Sequence, residues 1–535
     1  MTIKEIKNLL FGTIDVLEPI SIPRGASSNS LNWKTLGDRI ALRQGYKIFG
    51  NEVSGSGKIT GNYTATKSDG TEIQYKTHGK KLMYYVPATD TWTEIGTDVL
   101  GAEANGKEMS FAEYRPLAGD YLYINSPYGP FLKIDLSVPG TATDVYNGSK
   151  NYYGYIKIKQ NRMFLWQKTT DKATIDPSGV YLSKIDDVED FTKSTPRVAS
   201  EGAIFRQDDG GIILNIESYG DSEYCLHKKK TWVLTLSADD TNATNLIYRE
   251  NVGIPAMGAS VATGDGIYLI DNNDENDPQV KLLTLNYSSD KILPYPVSKG
   301  RKWQNIDVGI DLSDYYFDKT VGREVGDYVL FACRTKISTQ NNRVIVYNKR
   351  QKTFDIYNYW CSTFNIYDGE LMAGDPVSNN IQQLLTDWDD DGSNIENYWE
   401  GNKDNLDWFG EKRFKKLIIR GKISKDQSFK VYAALDEDDY IELGTISGDS
   451  SAVVSADEVV IGRTAIGRNE IGGGGSGDTA NEFVSEINVA SLLGRFNFIT
   501  LKFVAQELGE CEISGWSYFD IRNKSHKIIE EYRSN

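Results

Sequence analysis

A recurring pattern between residues 49 and 386 most constrains the fold, because an aromatic-rich strand repeatedly runs into a turn and then into a second strand. A single four-stranded sheet of this kind cannot bury both faces alone, whereas sheets stacked around an axis can. The spacing of roughly 40 to 60 residues suits one propeller blade per repeat. The pattern therefore predicts a β-propeller of six or seven blades over residues 49–386. The strand centres lie near Leu82, Leu122, Phe164, Ile213, Tyr268 and Val329.

The clearest repeat is KLMYYVPATDTWTEIG, which begins at Lys81. It predicts a strand from Leu82 to Val86, a turn at Pro-Ala-Thr-Asp, and a second strand through Trp92. The chain also contains 32 Tyr, 10 Trp and 49 Gly. Aromatic side chains favour strands and glycine permits tight hairpins, so the composition predicts an all-β fold. A hairpin in a different all-β arrangement is the alternative to the propeller.

The pattern changes after the propeller. Residues 387–398 (DWDDDGSNIENY) are acidic and turn-rich, as in a linker. Residues 399–535 predict a β-sandwich, because short alternating strands follow one another closely. The glycine-rich stretch at 459–478 predicts a long hairpin or loop that reaches away from the sandwich, and insertion into a neighbouring subunit would explain its length. The five predicted strands are RFKKLIIRGKI, SFKVYAALD, YIELGTIS, RFNFITLKFVAQ and CEISGWSYFDIRNK.

Residues 1–48 are weakly patterned and predict an extended N-terminal arm. Pro23 and Gly25 break regular structure, and the Ser/Asn run that follows favours turns. The stretch from Ile40 to Ile48 alternates as one strand would. Residues 1–11 suggest a short amphipathic helix or part of the arm, and they lack the apolar core of a signal peptide.

The formal net charge of −16 argues against general attraction to nucleic acid, since phosphate binding depends on Lys and Arg. A protein that surrounds DNA is a different case, because a negative lumen would repel the phosphates and let the duplex slide. No apolar run is long enough for a transmembrane helix. The four widely spaced cysteines predict buried thiols and synthesis in the cytoplasm; they are Cys225, Cys333, Cys361 and Cys511.

The sequence offers weak candidates for chemistry. His78, His227 and His526 each lie among lysines, which predicts surface or strand-edge residues without a catalytic role. We therefore expect no catalytic residues, no cofactor and no enzymatic activity. Paired carboxylates for glycoside hydrolysis are the exception that a sequence alone does not test.

Two acidic clusters are candidate cation sites. Asp387, Asp389 and Asp391 precede Gly392 with the alternate spacing of a calcium loop. Tyr398 stands where such a loop places its bidentate Glu, so a solvated acidic turn is the alternative. The second cluster, residues 271–277, lies between two strands and predicts a polar hairpin tip.

Two segments carry a resemblance to tail structural proteins of tailed bacteriophages. The first contains PRGAS at 23–27, NSLNW at 29–33 and LRQGY at 42–46. The second contains Tyr398-Trp399, Asp407-Trp408 and the stretch from Lys412 to Arg420. Both are similar to the β-propeller hub or nozzle proteins of short-tailed phages, which are also described as DNA-stabilisation or tail tubular proteins. The chain departs from that pattern in its size and its separate sandwich, which leaves its exact ring in the tail open.

The resemblance implies a virion structural protein, made in the host cytoplasm, that forms a homo-oligomeric ring around the DNA channel. It implies contacts with portal, adaptor and other tail proteins, passage of DNA without sequence-specific binding, and no membrane association. Such a ring would retain the genome and dock neighbouring components. The alternative is a carbohydrate-binding or glycosidase-type propeller that acts as a receptor adhesin.

Overall fold

A computed structural model of the chain describes residues 3–7, 9, 12–14, 21–51, 57–146, 152–171, 174–193, 201–209, 211–236, 244–274, 277–286, 291–296, 301–303, 306–407, 410–448 and 481–523. Within these residues the regular structure is all-β, apart from one short 3-10 helix. The predicted glycine-rich loop, Trp408 and His526 lie outside the described residues.

The first part of the chain supplies strands to two different domains. Its strands are β1 (Ile3–Ile6), β2 (Ser27–Leu31), β3 (Trp33–Leu36), β4 (Arg39–Leu42) and β5 (Tyr46–Phe49). Strands β1 to β4 belong to the sandwich, whereas β5 belongs to the propeller.

Seven four-stranded antiparallel sheets form the propeller in the described part of the chain. Blade one is β6 (Ile59–Thr66), β7 (Glu72–His78), β8 (Lys81–Val86) and β9 (Thr91–Glu94), with the 3-10 helix Pro87–Thr89 between the last two. Blade two is β10 (Ser110–Tyr114), β11 (Tyr121–Asn125), β12 (Leu132–Asp135) and β13 (Ala142–Asp144). Blade three is β14 (Tyr153–Lys159), β15 (Arg162–Thr169), β16 (Gly179–Leu182) and β17 (Ala203–Arg206).

The remaining blades follow in chain order. Blade four is β18 (Ile213–Tyr219), β19 (Ser222–His227), β20 (Lys230–Thr235) and β21 (Thr244–Glu250). Blade five is β22 (Ser260–Thr263), β23 (Gly266–Asp271), β24 (Gln279–Asn286) and β25 (Lys291–Pro296), and a separate pair, β26 (Arg301–Trp303) and β27 (Ile306–Val308), comes after it. Blade six is β28 (Tyr315–Val325), β29 (Tyr328–Thr335), β30 (Arg343–Asn348) and β31 (Thr353–Tyr357). Blade seven contains β32 (Thr363–Tyr367), β33 (Glu370–Gly374) and β34 (Ile381–Leu384).

The propeller closes through a strand from the other end of its sequence. β5 pairs antiparallel with β34 as the outermost strand of blade seven, with Phe49 opposite Ile381. The first strand of blade seven, β32, contacts the first strand of blade one, β6. First strands also contact each other between most other neighbouring blades, so they are the innermost strands of the ring. This seven-bladed closure confirms the propeller prediction and leaves few free edges.

The sandwich has two sheets that share one core. Its later strands are β35 (Tyr398–Gly401), β36 (Lys412–Arg413), β37 (Lys416–Ile423), β38 (Ser428–Leu435), β39 (Ile441–Ser447), β40 (Asn481–Asn488), β41 (Ile499–Ala505), β42 (Cys511–Phe519) and β43 (Arg522–Asn523). One sheet has the order β3-β4-β42-β37-β40, with β1 also on β42, and the other has the order β2-β35-β41-β38-β39. β36 and β43 form a small separate pair.

Burial patterns explain why apolar and polar residues alternate in strands of the sandwich but not in strands of the propeller. In β41, the sequence ITLKFVA alternates buried and half-buried residues, since one face packs on the sandwich core. In β29, the sequence YVLFACRT has five consecutive buried residues, because neighbouring blades cover both faces of the sheet. The five predicted sandwich strands and the predicted hairpin from residue 81 are confirmed by β37, β38, β39, β41 and β42 and by β8 and β9.

The predicted extended N-terminal arm over residues 1–48 is not a separate region in its described part, since β1 to β4 are strands of the sandwich sheets and β5 is a strand of the propeller. The predicted helix near the N-terminus is instead β1, which pairs with β42. The predicted single strand from Ile40 to Ile48 is two strands in two domains. It divides at residues 43–45, where the chain passes from the sandwich to the propeller.

Candidate functional site

The crossing point between the sandwich and the propeller is organised around Arg43, and we call Arg43, Asn32, Tyr359 and Asp390 the joint. The Arg43 side chain is fully buried. Its Nη1 and Nη2 donate to both carboxylate oxygens of Asp390 at 2.8 and 2.7 Å, and its Nε donates to Asn32 Oδ1 at 2.7 Å. Its guanidinium carbon lies 3.9 Å from the centre of the Tyr359 ring. Such a planar, bidentate arrangement is suited to Arg and fixes the two segments in one geometry.

Gly45 allows the chain to pass this point. Its backbone nitrogen donates to the Asp387 carbonyl at 2.6 Å, and the next nitrogen, that of Tyr46, donates to the Asp389 carbonyl at 3.0 Å. A Cβ on Gly45 would lie 1.5 Å from the Asp389 carbonyl oxygen. The crossing therefore requires glycine for close backbone approach.

The N-terminal segment also covers the outer edge strand of blade six. Thr13 and Asn32 donate their backbone N–H groups to carbonyls of Phe354 and Ile356 in β31, at 2.9 and 2.8 Å. The buried carboxylate of Asp355 accepts hydrogen bonds from the Thr35 nitrogen at 3.1 Å and hydroxyl at 3.0 Å. Burial raises the pKa of Asp355 to about 6. An edge that could pair with another chain is thus occupied by the protein itself.

The two segments on which we based the predicted resemblance to phage tail proteins lie side by side. β2 pairs antiparallel with β35, and the Ser27 hydroxyl donates to the Glu400 carbonyl at 2.8 Å. Arg24 donates to the Asp404 carboxylate from Nε at 2.9 Å and from Nη2 at 2.7 Å, and its Nη1 lies 2.6 Å from Asp407. Residues that are far apart in the sequence therefore form one continuous contact.

The candidate calcium-loop residues do not converge on a cation site. Asp389 accepts a hydrogen bond from the Gly392 nitrogen at 2.6 Å, and the carbonyl of Asp387 accepts from Gly45. Asp391 has a left-handed backbone, with φ of 51°. In the described ranges, no group of three or more His, Cys, Asp or Glu side chains is placed to hold a metal ion. The segment is a turn, and the residue between the candidates, Asp390, is the one that holds Arg43.

The second acidic cluster lies at the hairpin between β23 and β24, as predicted, with Asn273 and Asp274 exposed. Asp271 differs, because it is buried at the end of β23 and pairs with Lys281.

The histidines also differ from expectation. His78 and His227 are buried instead of lying at the surface, and burial lowers the pKa of each to about 4. His227 is held between the Gly211 carbonyl at 2.9 Å and Gln207 Oε1 at 2.8 Å. All four cysteines are buried and free, which confirms their predicted packing role.

Polar side chains of the innermost strands form a second candidate site, which we call the axial cluster: Tyr63, Glu113, Glu217, Arg323 and Asn365. They come from five different blades. The Tyr63 hydroxyl donates to Glu113 Oε1 at 3.2 Å. Arg323 of blade six interacts electrostatically with both Tyr63 of blade one and Glu217 of blade four.

Glu217 is the glutamate of the axial cluster whose pKa burial raises. Its Oε1 accepts hydrogen bonds from Asn215 Nδ2 and Ser260 Oγ, both at 3.0 Å. Burial raises the pKa of Glu217 and is the largest influence on it. Burial likewise lowers the pKa of Arg323, although part of that side chain is exposed.

Sequence reasoning missed both sites. Asp390 has no local signal for its role, because its partner is 347 residues away in the sequence. The axial residues occupy ordinary strands, and a period-two pattern shows which face of a strand is polar but not which strand lines an axis. The sequence signal that could indicate the axial residues is a polar or charged residue in the first strand of each repeat.

Comparisons with known proteins give structures but no family. No protein family and no curated protein matches the sequence. Solved structures that it resembles include a glycoside hydrolase family 43 arabinoxylan arabinofuranohydrolase from Bacillus subtilis, in complex with cellotetraose, at 11% identity and a TM-score of 0.25, over 92% of this chain and 95% of that one. Another is an exo-β-1,3-galactanase from Phanerochaete chrysosporium with β-1,3-galactotriose, at 7% identity and a TM-score of 0.25, over 92% and 99% of the two chains.

Both matched structures are of enzymes, which is contrary to the prediction that the chain is not an enzyme. At a TM-score of 0.25, however, they assign neither a substrate nor a catalytic residue to this chain. No helix among the described residues is long and apolar enough to cross a membrane. The fold itself is established as all-β, with a β-propeller joined to a β-sandwich.

Proposed function

We propose that the chain is a virion structural protein of a phage tail or head–tail connection, part of a hub-like or nozzle-like ring around the DNA channel. The observation that carries this proposal is the contact between its two phage-like segments through β2 and β35 and through Arg24 and Asp404. The two domains of each subunit in such a ring must stay together under load. The buried joint and the covered edge of blade six connect the propeller and the sandwich within one chain.

The charge of the chain fits this role. A net charge of −16 disfavours adhesion to the DNA backbone, so a duplex could slide past the ring without being held. A closed ring forms when two different surfaces of neighbouring subunits meet with a rotation that returns to the first subunit. We therefore expect other copies of this chain to be its partners in a homo-oligomeric ring. Portal, adaptor and other tail proteins would occupy the remaining surfaces, and the protein would reside in the virion tail.

The test is the oligomeric state of the purified chain, measured by size-exclusion chromatography with light scattering and by negative-stain microscopy. We expect closed rings with a central opening, and we expect the chain to be found by mass spectrometry in purified particles. A monomer at tens of micromolar that is also absent from particles would contradict the proposal.

The axial cluster favours a second candidate function, a carbohydrate-binding or glycosidase-type propeller that acts as a receptor adhesin. The cluster contains two carboxyl groups from different blades: Glu217, which interacts electrostatically with Arg323, and Glu113, which accepts a hydrogen bond from Tyr63. Carboxyl pairs in which one member has a raised pKa are the chemistry of glycoside cleavage. A glycan array followed by incubation with the bound glycans tests this function, and we expect Glu217→Gln to retain the fold but lose any cleavage.

A further inference from the structure

Arg323 interacts electrostatically with Tyr63, Glu324 and Glu217, but its guanidinium has no direct partner in the described part of the chain. Among the residues that the structure describes, neither a hydrogen bond nor an ion pair engages its guanidinium, and its side chain is exposed. Arg334, on the next strand of blade six, is instead paired with Asp318, with its Nε 2.7 Å from Oδ1. A planar guanidinium without a direct partner is suited to bidentate binding of a carboxylate.

Other residues of the axial cluster are suited to hydrogen-bond the hydroxyl groups of a ligand and to pack against its ring. Glu217 uses Oε1 for Asn215 and Ser260, and its Oε2 has no partner within the described structure, so it remains available to a ligand hydroxyl. Tyr63 and Phe111 lie stacked, with their ring centres 5.2 Å apart, and both are half-buried. Aromatic faces beside polar groups are typical of sites that orient small hydroxylated ligands.

We propose that the axial cluster binds an acidic saccharide, with the sugar carboxylate on Arg323 and a sugar hydroxyl on Glu217. This inference rests on the second candidate function and does not depend on ring formation. A neutral sugar would displace water from the Arg323 guanidinium without supplying a carboxylate, and covering a charged group without a partner costs affinity. The site therefore discriminates acidic from neutral sugars through Arg323.

The test is isothermal titration calorimetry of the full chain with trigalacturonic acid and with neutral galactotriose. We expect the acidic trimer to bind at least tenfold more tightly than the neutral one. Arg323→Gln should remove this difference, while Arg334→Gln, a matched arginine that is paired outside the axial cluster, should leave it unchanged. Unfolding midpoints of both variants show whether they remain folded.

A second variant keeps the inference testable if Arg323→Gln does not fold. Glu217→Gln removes a negative charge near Arg323 and should tighten binding of the acidic trimer severalfold. Equal affinities for both trimers would overturn the inference and leave the second candidate function standing, whereas no binding of either would overturn both. Tighter binding of a triaspartate peptide than of the acidic trimer would also overturn it, because the ligand would then be a peptide.

Discussion

Lys76 is a fully buried lysine between blades one and seven, with no ion pair among the described residues. Its Nζ donates to the Asn379 carbonyl at 2.8 Å and lies 4.3 Å from the centre of the Trp92 ring. Burial lowers the pKa of Lys76 to about 7. The unfolded chain therefore binds an additional proton between about pH 7 and pH 10.

The replacement Lys76→Met should stabilise the protein at pH 7. Because the folded-state pKa is the lower one, the penalty of Lys76 is largest below about pH 7 and disappears as the pH approaches the unfolded value. Allowing for the lost hydrogen bond and ring contact, we expect a gain of about 2 kcal/mol at pH 7. Urea unfolding at pH 7 and pH 10 measures it. The exposed Lys228→Met serves as the control, and a gain that does not shrink toward pH 10 would contradict this account.

Gly45 provides a second prediction at the scale of one residue. Gly45→Ala places a Cβ against the Asp389 carbonyl, so the backbone of the crossing must shift, which should cost on the order of 3 kcal/mol. Gly264→Ala is the matched control, because a Cβ there has nothing within 4 Å. Chemical unfolding of both variants measures the difference, and similar stabilities would show that the crossing can relax.

At the scale of elements, β5 and the covered β31 make the N-terminal segment necessary to both domains. Removal of residues 1–50 would leave blade seven with three strands and would expose the edge of blade six. We expect this truncated chain to aggregate, because a free strand edge pairs with other chains. Soluble yield and light scattering measure the effect, and co-expression of residues 1–50 as a separate chain should restore solubility. A soluble truncated chain with a cooperative thermal transition would contradict this.

Elements with local signals could be predicted from the sequence, whereas long-range pairings could not. The hairpin from Lys81 combines aromatic strands with a Pro-Ala-Thr-Asp turn, and Asp90 indeed adopts a left-handed backbone, with φ of 52°. Apolar and polar residues alternate from Ile40 to Ile48 as in one strand. The buried pairing of Arg43 with Asp390 nevertheless divides this stretch between the two domains. Nothing near Arg43 in the sequence indicates Asp390, because pairing across the whole propeller depends on tertiary structure.

At the scale of the whole molecule, the joint makes the propeller and the sandwich one mechanical body. We expect the wild-type chain to unfold in a single calorimetric transition, since neither domain can lose the N-terminal segment alone. Arg43→Ala leaves Asp390 without its buried partner, which should cost about 3–5 kcal/mol and separate the transition into two. Lys430→Ala, at the exposed pair with Glu442, should leave a single, nearly unshifted transition, because water screens exposed ion pairs. A single unshifted transition in Arg43→Ala would contradict the coupling.

The position of β5 has a consequence for biosynthesis. The strand leaves the ribosome early, but its partner β34 is translated only after the intervening blades. At typical synthesis rates the early strand waits for tens of seconds, with its hydrogen-bonding edge unsatisfied. Nascent chains of this protein should therefore depend on a chaperone that shields the first fifty residues, and pausing of translation before residue 381 should prolong that dependence.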